Sequence, residues 1–173
     1  MLKTIILASA LAFAPAGVVA AQDAGPTDAQ IAHIAYTAGQ LDITAAQQAL
    51  KKSTNPQVRA FAEEMARDHA AVNDQAVALV TRMHVTPAAN PTSTALTEQA
   101  ATTQARLEQL SGAAFDRAYI ANEVAYHQTV NGALRTVLIP SADNAELKSL
   151  LETGLTLFTE HQMHAEHLAH EVQ

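Results

Sequence analysis

The sequence predicts an all-α protein, a four-helix bundle made of two antiparallel hairpins that are joined by a long crossover containing an extra helix. Of the 173 residues, 49% are hydrophobic but only 4% are aromatic, and such an alanine-rich composition favours closely packed helices over sheet. Apolar residues recur every three or four positions along four long segments, as they do on the buried face of a helix. Short connections within each pair of segments indicate antiparallel hairpins.

The first 21 residues have the pattern of a cleaved signal peptide. Lys3 supplies a positive charge, and residues 5–14 form an apolar stretch that is too short to span a bilayer. We therefore predict a signal peptide over residues 1–21, a linker over 22–27 and one bundle domain over 28–170. The mature protein is expected to be periplasmic or secreted, without stable membrane insertion after cleavage.

Helix-start signals define the first hairpin. Thr27 and Gln30 form a capping-box pattern at the start of the first helix, which is expected to end near Lys52. Asn55 followed by Pro56 is typical of the start of a second helix. The apolar stripe of that helix comprises Val58, Phe61, Ala62, Met65, His69, Val72, Ala76, Leu79 and Met83.

The crossover is predicted to combine a loop with a short helix. Residues 85–94 contain two prolines and are expected to form the loop. A modest helix should follow over residues 95–110. Its apolar face is thin, which predicts that it covers the bundle and contributes little to the core.

The second hairpin has a similar set of signals. Ser111 and Gly112 are predicted to open its first helix and Pro140 to end it. Asp143 and Glu146 form another capping-box pattern, which starts the last helix there. The predicted inner face of the first helix comprises Phe115, Tyr119, Asn122 or Glu123, Tyr126, Val130, Leu134 and Val137.

Composition and motifs exclude several classes of function. The net charge of −7 argues against binding nucleic acid or an anionic membrane. The absence of cysteine excludes disulfides, so stability must come from packing. The sequence has no serine–histidine–aspartate order, glycine-rich phosphate loop or zinc-finger spacing. We therefore predict no catalytic residue and no organic cofactor, and the sequence identifies no protein partner. The sequence favours a protein that is not an enzyme.

Polar residues on the apolar faces are the candidates for a binding site. His69 and His127 lie at similar distances from the starts of two parallel helices, so we expect them at one level of the bundle. Counting along the last helix places His161 one or two turns away. The candidate metal ligands are His69, His127, Glu123 and His161, with Asp68, Glu160 and His164 as weaker candidates.

Two interpretations of these polar residues remain open. In one, they form an in-bundle site for a transition metal, namely Fe, Cu, Zn or Ni. In the other, each histidine is a buried hydrogen-bonding group, satisfied for example by Tyr119 or Tyr126. A standard di-iron centre is disfavoured because it needs Glu-x-x-His on two helices, and the sequence contains no such motif.

A row of histidines near the C-terminus is a second candidate site. Its members, spaced three residues apart, are His161, His164, His167 and His170. On a helix this row drifts around the axis, so neighbours could share a metal ion but all four cannot converge. The alternative is a polar, pH-sensitive face.

Several segments resemble the bacterial exported family named "domain of unknown function 4142". The resemblance is carried by Asn55-Pro56, Phe61-Ala62, Met65, Asp68-His69, the run from Leu110 to Tyr119, His127 and Glu160-His161. It covers roughly residues 29–168 and implies a ferritin-like four-helix bundle in the bacterial envelope, with no assigned activity. The chain departs from the family pattern in having Ala70 after Asp-His, where Thr is frequent, and Asp42 where Glu is common.

Two functional hypotheses follow. The first is an exported helical bundle with a non-catalytic binding or envelope-stress role. The second is a ferritin-like metal-binding or redox protein that uses the in-bundle histidines and carboxylates. A weaker third idea, partner binding through the crossover helix, would require a large exposed apolar patch.

Overall fold

The computed structural model describes residues 25–172, and every regular element in this range is helical. The elements are α1 (Asp28–Lys52), α2 (Pro56–Arg82), α3 (Pro91–Glu108), α4 (Gly112–Ala133), a π-helical turn (Leu134–Leu138), α5 (Ile139–Ser141) and α6 (Ala145–Glu171). The predicted signal peptide lies outside the described residues. Within them, no helix combines the length and apolar character that crossing a membrane requires.

The four long helices form two hairpins. α1 packs along α2, and α4 packs along α6. α3 lies outside this bundle against α1, and a hydrogen bond from Gln48 of α1 to the Gln104 carbonyl of α3 joins the two helices. Because the crossover carries the chain back along α1, α2 and α4 run parallel. The predicted all-α four-helix bundle is confirmed.

The first hairpin begins and turns where the sequence predicts. The Thr27 hydroxyl accepts from the Gln30 backbone N–H, while the Gln30 side chain accepts from the Thr27 N–H. At the start of α2, Asn55 Oδ1 accepts from the backbone N–H groups of Gln57 and Val58. These bonds satisfy first-turn donors that have no partner within the helix.

Replacing Asn55 with alanine is expected to lower the free energy of unfolding by about 1 kcal/mol, because two first-turn N–H groups lose their acceptor. Asn144 makes the same pair of bonds at the start of α6, to Glu146 and Leu147, so Asn144→Ala should cost a similar amount. Urea unfolding measures both. Unchanged stability in both variants would contradict this role for the two caps.

The crossover helix starts earlier than predicted. α3 begins at Pro91 and not at Ala95, with Asn90 as its N-cap. The sequence interpretation treated Pro91 as a loop residue, although a proline at the first helical position needs no N–H partner. The other expectation for α3 is confirmed, since only Ser93 and Leu107 are buried along it.

The helical path also continues past Pro140, which was predicted to end it. Pro140 lies in the first turn of α5, where its missing N–H is not needed. The wide turn Leu134–Leu138 precedes it and changes the register of the inward face. Leu134 and Leu138 are buried, whereas Val137, predicted to face inwards, is 43% exposed.

The cap of α6 is one residue later than predicted. Asn144, and not Asp143, accepts from the first-turn N–H groups. The backbone N–H groups of Asp143 and Asn144 instead donate to the Asp28 carboxylate at the start of α1. This contact ties the beginning of the first hairpin to the connection within the second.

Two apolar clusters fill the bundle. One surrounds Phe61, Met65 and Tyr119, and the other surrounds Ile31 and Leu151 towards the opposite end. Between them lies a layer of buried polar side chains that includes Asp42, His69, Glu123, His127 and His161. This layer, called the polar layer below, contains most of the residues that could carry chemistry.

Candidate metal centre

Three histidines from three helices meet in the polar layer. His69 of α2, His127 of α4 and His161 of α6 are only 3%, 1% and 1% exposed. Their ring centroids are 5.7 Å (His69–His127), 5.4 Å (His69–His161) and 5.5 Å (His127–His161) apart. Each offers a ring nitrogen within 4.8 Å of the other two. The predicted proximity of His69 and His127 is therefore observed.

The prediction that His161 lies one or two turns away along the axis is wrong. α4 and α6 are antiparallel, and the helical path of α4 extends through α5 to Ser141. The number of residues from the connection between the helices to His127 differs by only two from the number to His161, which corresponds to about 3 Å along the helix axis. Ending the helix at Pro140, one residue before Ser141, accounts for only about 1.5 Å of the predicted separation.

Asp42 of α1 completes the layer from the fourth helix. Its Oδ2 lies 3.2 Å from His69 Nε2 and 3.6 Å from His127 Nε2, and its side chain is fully buried. Glu123, also buried, has Oε2 3.8 Å from His127 Nδ1. Of the two inner-face alternatives on α4, Glu123 is buried and Asn122 is only partly so.

Burial changes the acidity of both carboxyl groups in the same direction. Desolvation raises the pKa of Asp42 to about 7. Desolvation also raises the pKa of Glu123 well above its usual range, and the nearby charge of Asp42 adds to this increase. Near neutral pH the Asp42 carboxyl group can therefore keep or release a proton.

Burial lowers the pKa values of the three histidines. Desolvation lowers the pKa of His127 to about 4 and that of His69 well below its usual range, where repulsion from the other two imidazoles contributes. The pKa of His161 is also lowered, mainly by burial. All three rings are consequently neutral at pH 7, and a neutral imidazole is the form that binds a metal.

Contacts outside the cluster orient two of the rings. His127 Nδ1 lies 3.0 Å from the Glu123 backbone carbonyl, which requires that nitrogen to donate. His161 Nε2 lies 3.2 Å from Asp68 Oδ2, and hydrogen bonds from Arg67 keep the pKa of Asp68 low. These contacts leave His127 Nε2 and His161 Nδ1 with free lone pairs, the arrangement found around metal-bound histidines.

Several polar atoms in the layer have no hydrogen-bond partner among residues 25–172. They are both oxygens of Asp42, both ring nitrogens of His69, His127 Nε2, His161 Nδ1 and Glu123 Oε2. The 3.2 Å separation of Asp42 and His69 lacks hydrogen-bond geometry. Since buried polar groups are normally paired, so many partnerless ligand atoms in one place require an explanation.

Hydrogen bonds from the nearby tyrosines do not explain these partnerless atoms. The Tyr126 hydroxyl donates to the Ala38 carbonyl at 2.8 Å, and the Tyr119 hydroxyl has no partner among the described residues. Neither satisfies an imidazole, as the hydrogen-bonding interpretation had suggested. The ring of His69 instead stacks on Phe158, with centroids 4.5 Å apart and planes 11° from parallel.

The distances between the candidate ligand atoms are compatible with a metal ion that has four ligands. With metal–ligand bonds of about 2.0–2.2 Å, neighbouring ligand atoms of a tetrahedral site lie about 3.3–3.6 Å apart. The two distances from Asp42 Oδ2 to His69 and His127, 3.2 and 3.6 Å, are close to this range. The three histidine nitrogens, at up to 4.8 Å apart, would need small side-chain rotations to reach it.

The weaker sequence candidates lie towards the surface. Asp68 is partly buried and contacts His161, and it forms a second group of potential ligands with Glu64 and His161. His164 is 43% exposed at its side chain and pairs with Glu64 at 2.8 Å. Glu160 is exposed and belongs to no group of three potential ligands in the described chain.

The C-terminal histidine row divides between inside and outside. Only His161 is buried, whereas His164, His167 and His170 are exposed. His167 pairs with Glu171 one turn later, at 3.2 Å. Within residues 25–172, no group of three or more potential ligands contains two members of this row.

Sequence reasoning missed two members of the site, Asp42 and Glu64. Asp42 was noted in the sequence as a departure from the family pattern and was not chosen as a ligand. The signal was present, because Asp42 lies on the apolar stripe of α1 between Ala38 and Ala45, where an unpaired acid is costly. Glu64 carried no such signal, since it lies at the edge of the buried face of α2.

Comparison with known proteins identifies the family. A family model described as "Domain of unknown function (DUF4142)" matches residues 14–168. The chain belongs to this family. No curated protein matches it. The DUF4142 assignment agrees with the residues that carry the resemblance in the sequence.

Two solved structures have a similar fold. A DUF305 protein from Streptomyces coelicolor superposes on this DUF4142 chain with a TM-score of 0.71 at 12% identity, covering 84% of this chain and 93% of that one. A structure described as "CopM in the Cu(II)-bound form" gives a TM-score of 0.65 at 14% identity, covering 86% of this chain and 99% of that one. At these identities the likeness concerns the fold alone.

Proposed function

We propose that this chain is an exported bacterial protein that binds one copper ion in the polar layer, through His69, His127, His161 and Asp42. The observation that carries the proposal is the convergence of three buried, neutral imidazoles whose free nitrogens have no protein partner. A purely structural network would be expected to satisfy its own polar groups. A bound ion would instead use these lone pairs.

The choice of metal rests on ligand chemistry and on a structural relative. Imidazole with one carboxylate suits copper, zinc, iron and nickel, and among divalent ions a site of this type binds copper most tightly. The similar structure named CopM was obtained with Cu(II) bound. The absence of thiolate and the missing Glu-x-x-His pairs make an iron–sulfur or di-iron centre a poor fit.

The export part of the proposal rests on the N-terminal pattern. A short positive start, an apolar stretch and small residues precede the bundle. The similar DUF305 protein is itself a candidate secreted protein. A periplasmic site built from histidine and carboxylate needs no thiol, which suits a compartment where cysteines are oxidised.

Copper titration of the chelator-treated protein tests the binding site. We expect one Cu(II) per chain by elemental analysis and a spectrum typical of nitrogen ligands. His69→Ala, which removes one central ligand, should weaken the binding by at least about 100-fold, more than the 10–100-fold typical of losing an outer-shell partner. Zinc should compete less strongly.

His167→Ala is the matched control, because it removes an exposed histidine that pairs only with Glu171. It should leave the stoichiometry and affinity unchanged. If His167→Ala lowers copper binding and His69→Ala does not, the ion binds the surface row and the proposal fails. Failure of the natural chain to bind any transition metal would overturn it equally.

A further inference from the structure

A large cavity adjoins the polar layer in the half of the bundle that contains Ile31 and Leu151. Its volume is about 750 Å³, within the range of pockets that hold small molecules. Helices α1, α2, α4 and α6 form its walls, and the first turns of α3 contribute to its rim. The aliphatic side chains of the wall include Ile34, Val72, Leu134, Leu138, Leu147 and Leu151.

Small residues keep this space open. Ala35, Ala38 and Gly39 of α1 face it, as do Ala76 of α2 and Gly154 of α6. Larger side chains at Ala35 and Ala76 would occupy part of this volume, and unfilled core volume is destabilising. Gly39 is different, because a Cβ there would clash with the Asn73 side chain. The sequence thus maintains a space that packing alone would remove.

No lysine, arginine, aspartate or glutamate is among the residues that line the cavity. A charged ligand would lose its hydration there without gaining a partner, which is strongly unfavourable. An uncharged apolar molecule would gain from burial, and apolar cavities of this kind bind apolar ligands. The aliphatic walls therefore select against charged lipids.

The lining includes two histidines of the polar layer and several residues at the protein surface. His69 and His127 contribute to the inner end, and Phe158 stacks on His69 beside them. The other end is bordered by the exposed residues Pro91, Thr92 and Val137. A molecule entering from the surface between α3 and α4 would reach the polar layer with its leading end.

We infer that this cavity binds an uncharged, elongated apolar molecule with a single polar end, which lies against His69 and His127. The walls recognise the apolar body by shape and burial, and the imidazoles recognise the polar end by hydrogen bonding. This cavity adjoins the proposed copper site and shares His69 and His127 with it, so the polar end of the molecule would contact these imidazoles in the metal-free protein. It does not depend on a metal being bound.

Fluorescent probes of different charge test this inference. N-phenyl-1-naphthylamine is apolar and uncharged, and it should bind the metal-free natural chain at one saturable site. Dodecanol should displace it, whereas dodecyl sulfate below its micellar concentration should compete at least about tenfold more weakly. Equal competition by the two, or the absence of saturable binding, would overturn the inference.

Two cavity-filling variants and a matched control locate the binding. Ala35→Phe and Ala76→Phe place a ring in the cavity from different helices, and each should weaken probe binding by at least about tenfold. Ala71→Phe makes the same change at an exposed position of α2 outside the lining and should have no effect. Circular dichroism checks that each variant is folded. Undiminished binding in both folded filling variants would show that the probe binds elsewhere.

Two variants separate this inference from the copper proposal. Ala76→Phe should lose the probe and retain copper, because the substitution leaves all four proposed ligands intact. His161→Ala should lose copper and retain the probe, because His161 is a proposed copper ligand but is not among the residues that line the cavity. Loss of both ligands in both folded variants would contradict the assignment of two separate sites.

Discussion

Metal-free protein carrying Asp42→Asn is expected to be more stable than the natural chain at pH 8 and about equally stable at pH 4. Burial raises the pKa of Asp42 from 3.8 to about 7. At pH 8 the folded natural chain must therefore keep a desolvated carboxylate, whereas the asparagine variant buries a neutral amide of nearly the same shape.

The sign of this stability difference follows from the linkage between proton binding and folding. The folded pKa lies above the unfolded one, so between pH 4 and 7 the folded state binds more protons and loses stability as the pH rises. A shift of about three units at about 1.4 kcal/mol each sets an upper limit of about 4 kcal/mol on the difference at pH 8. Urea unfolding at both pH values, with chelator present, measures it.

Other buried titratable groups near Asp42 also make the stability of both proteins depend on pH. Glu123 contributes a loss of the same sign, because its pKa is also raised. His69 and His127 act in the opposite direction, because their lowered pKa values make the folded state lose stability as the pH falls below their usual range. These groups are present in both proteins, but Asp42→Asn also removes the charge that helps to raise the pKa of Glu123, so the measured difference includes this coupling. An equal difference at pH 4 and pH 8 would show that desolvation is not its cause.

Phe61→Ala is expected to lower the free energy of unfolding by about 3–5 kcal/mol, the usual result of deleting a fully buried aromatic ring. Phe61 is 0% exposed within the close-packed apolar cluster. It also packs edge-on against Tyr119, with ring centroids 6.3 Å apart. A loss of this size approaches the whole stability of many domains.

Phe158→Ala makes the same change in the other half of the bundle and should cost clearly less. Phe158 already borders the 750 Å³ cavity, so part of its surface makes no packing contact that could be lost. Thermal or urea unfolding of the two variants gives the comparison. Equal losses would indicate that both halves of the core are packed to the same density.

The helices were predictable because their signals are local. The helix caps at Thr27 and Asn55 and the apolar stripes are each determined by residues that are close together in the sequence. The errors at Pro91, Pro140 and Asp143 came from interpreting a proline as a loop or stop, or from choosing the wrong neighbour as cap. Each error displaced a helix end by a few residues and left the fold unchanged.

The site depended on those same helix ends. Whether His161 meets His127 is decided by where the chain turns between α4 and α6, and each residue of error there moves the expected position of His161 by about 1.5 Å. Asp42 was missed for another reason. Its role is visible only when the four helices are assembled, because its partners His69 and His127 lie on other helices.

The polar layer draws one candidate ligand from each of the four bundle helices, with Asp42 on α1, His69 on α2, His127 on α4 and His161 on α6. An ion held by all four would cross-link the chain across both hairpins and the crossover. Because the four ligands converge only in the folded chain, the free energy of binding the ion would add to the free energy of folding. A chain without cysteine would thereby gain a reversible cross-link whose contribution to stability depends on the supply of metal.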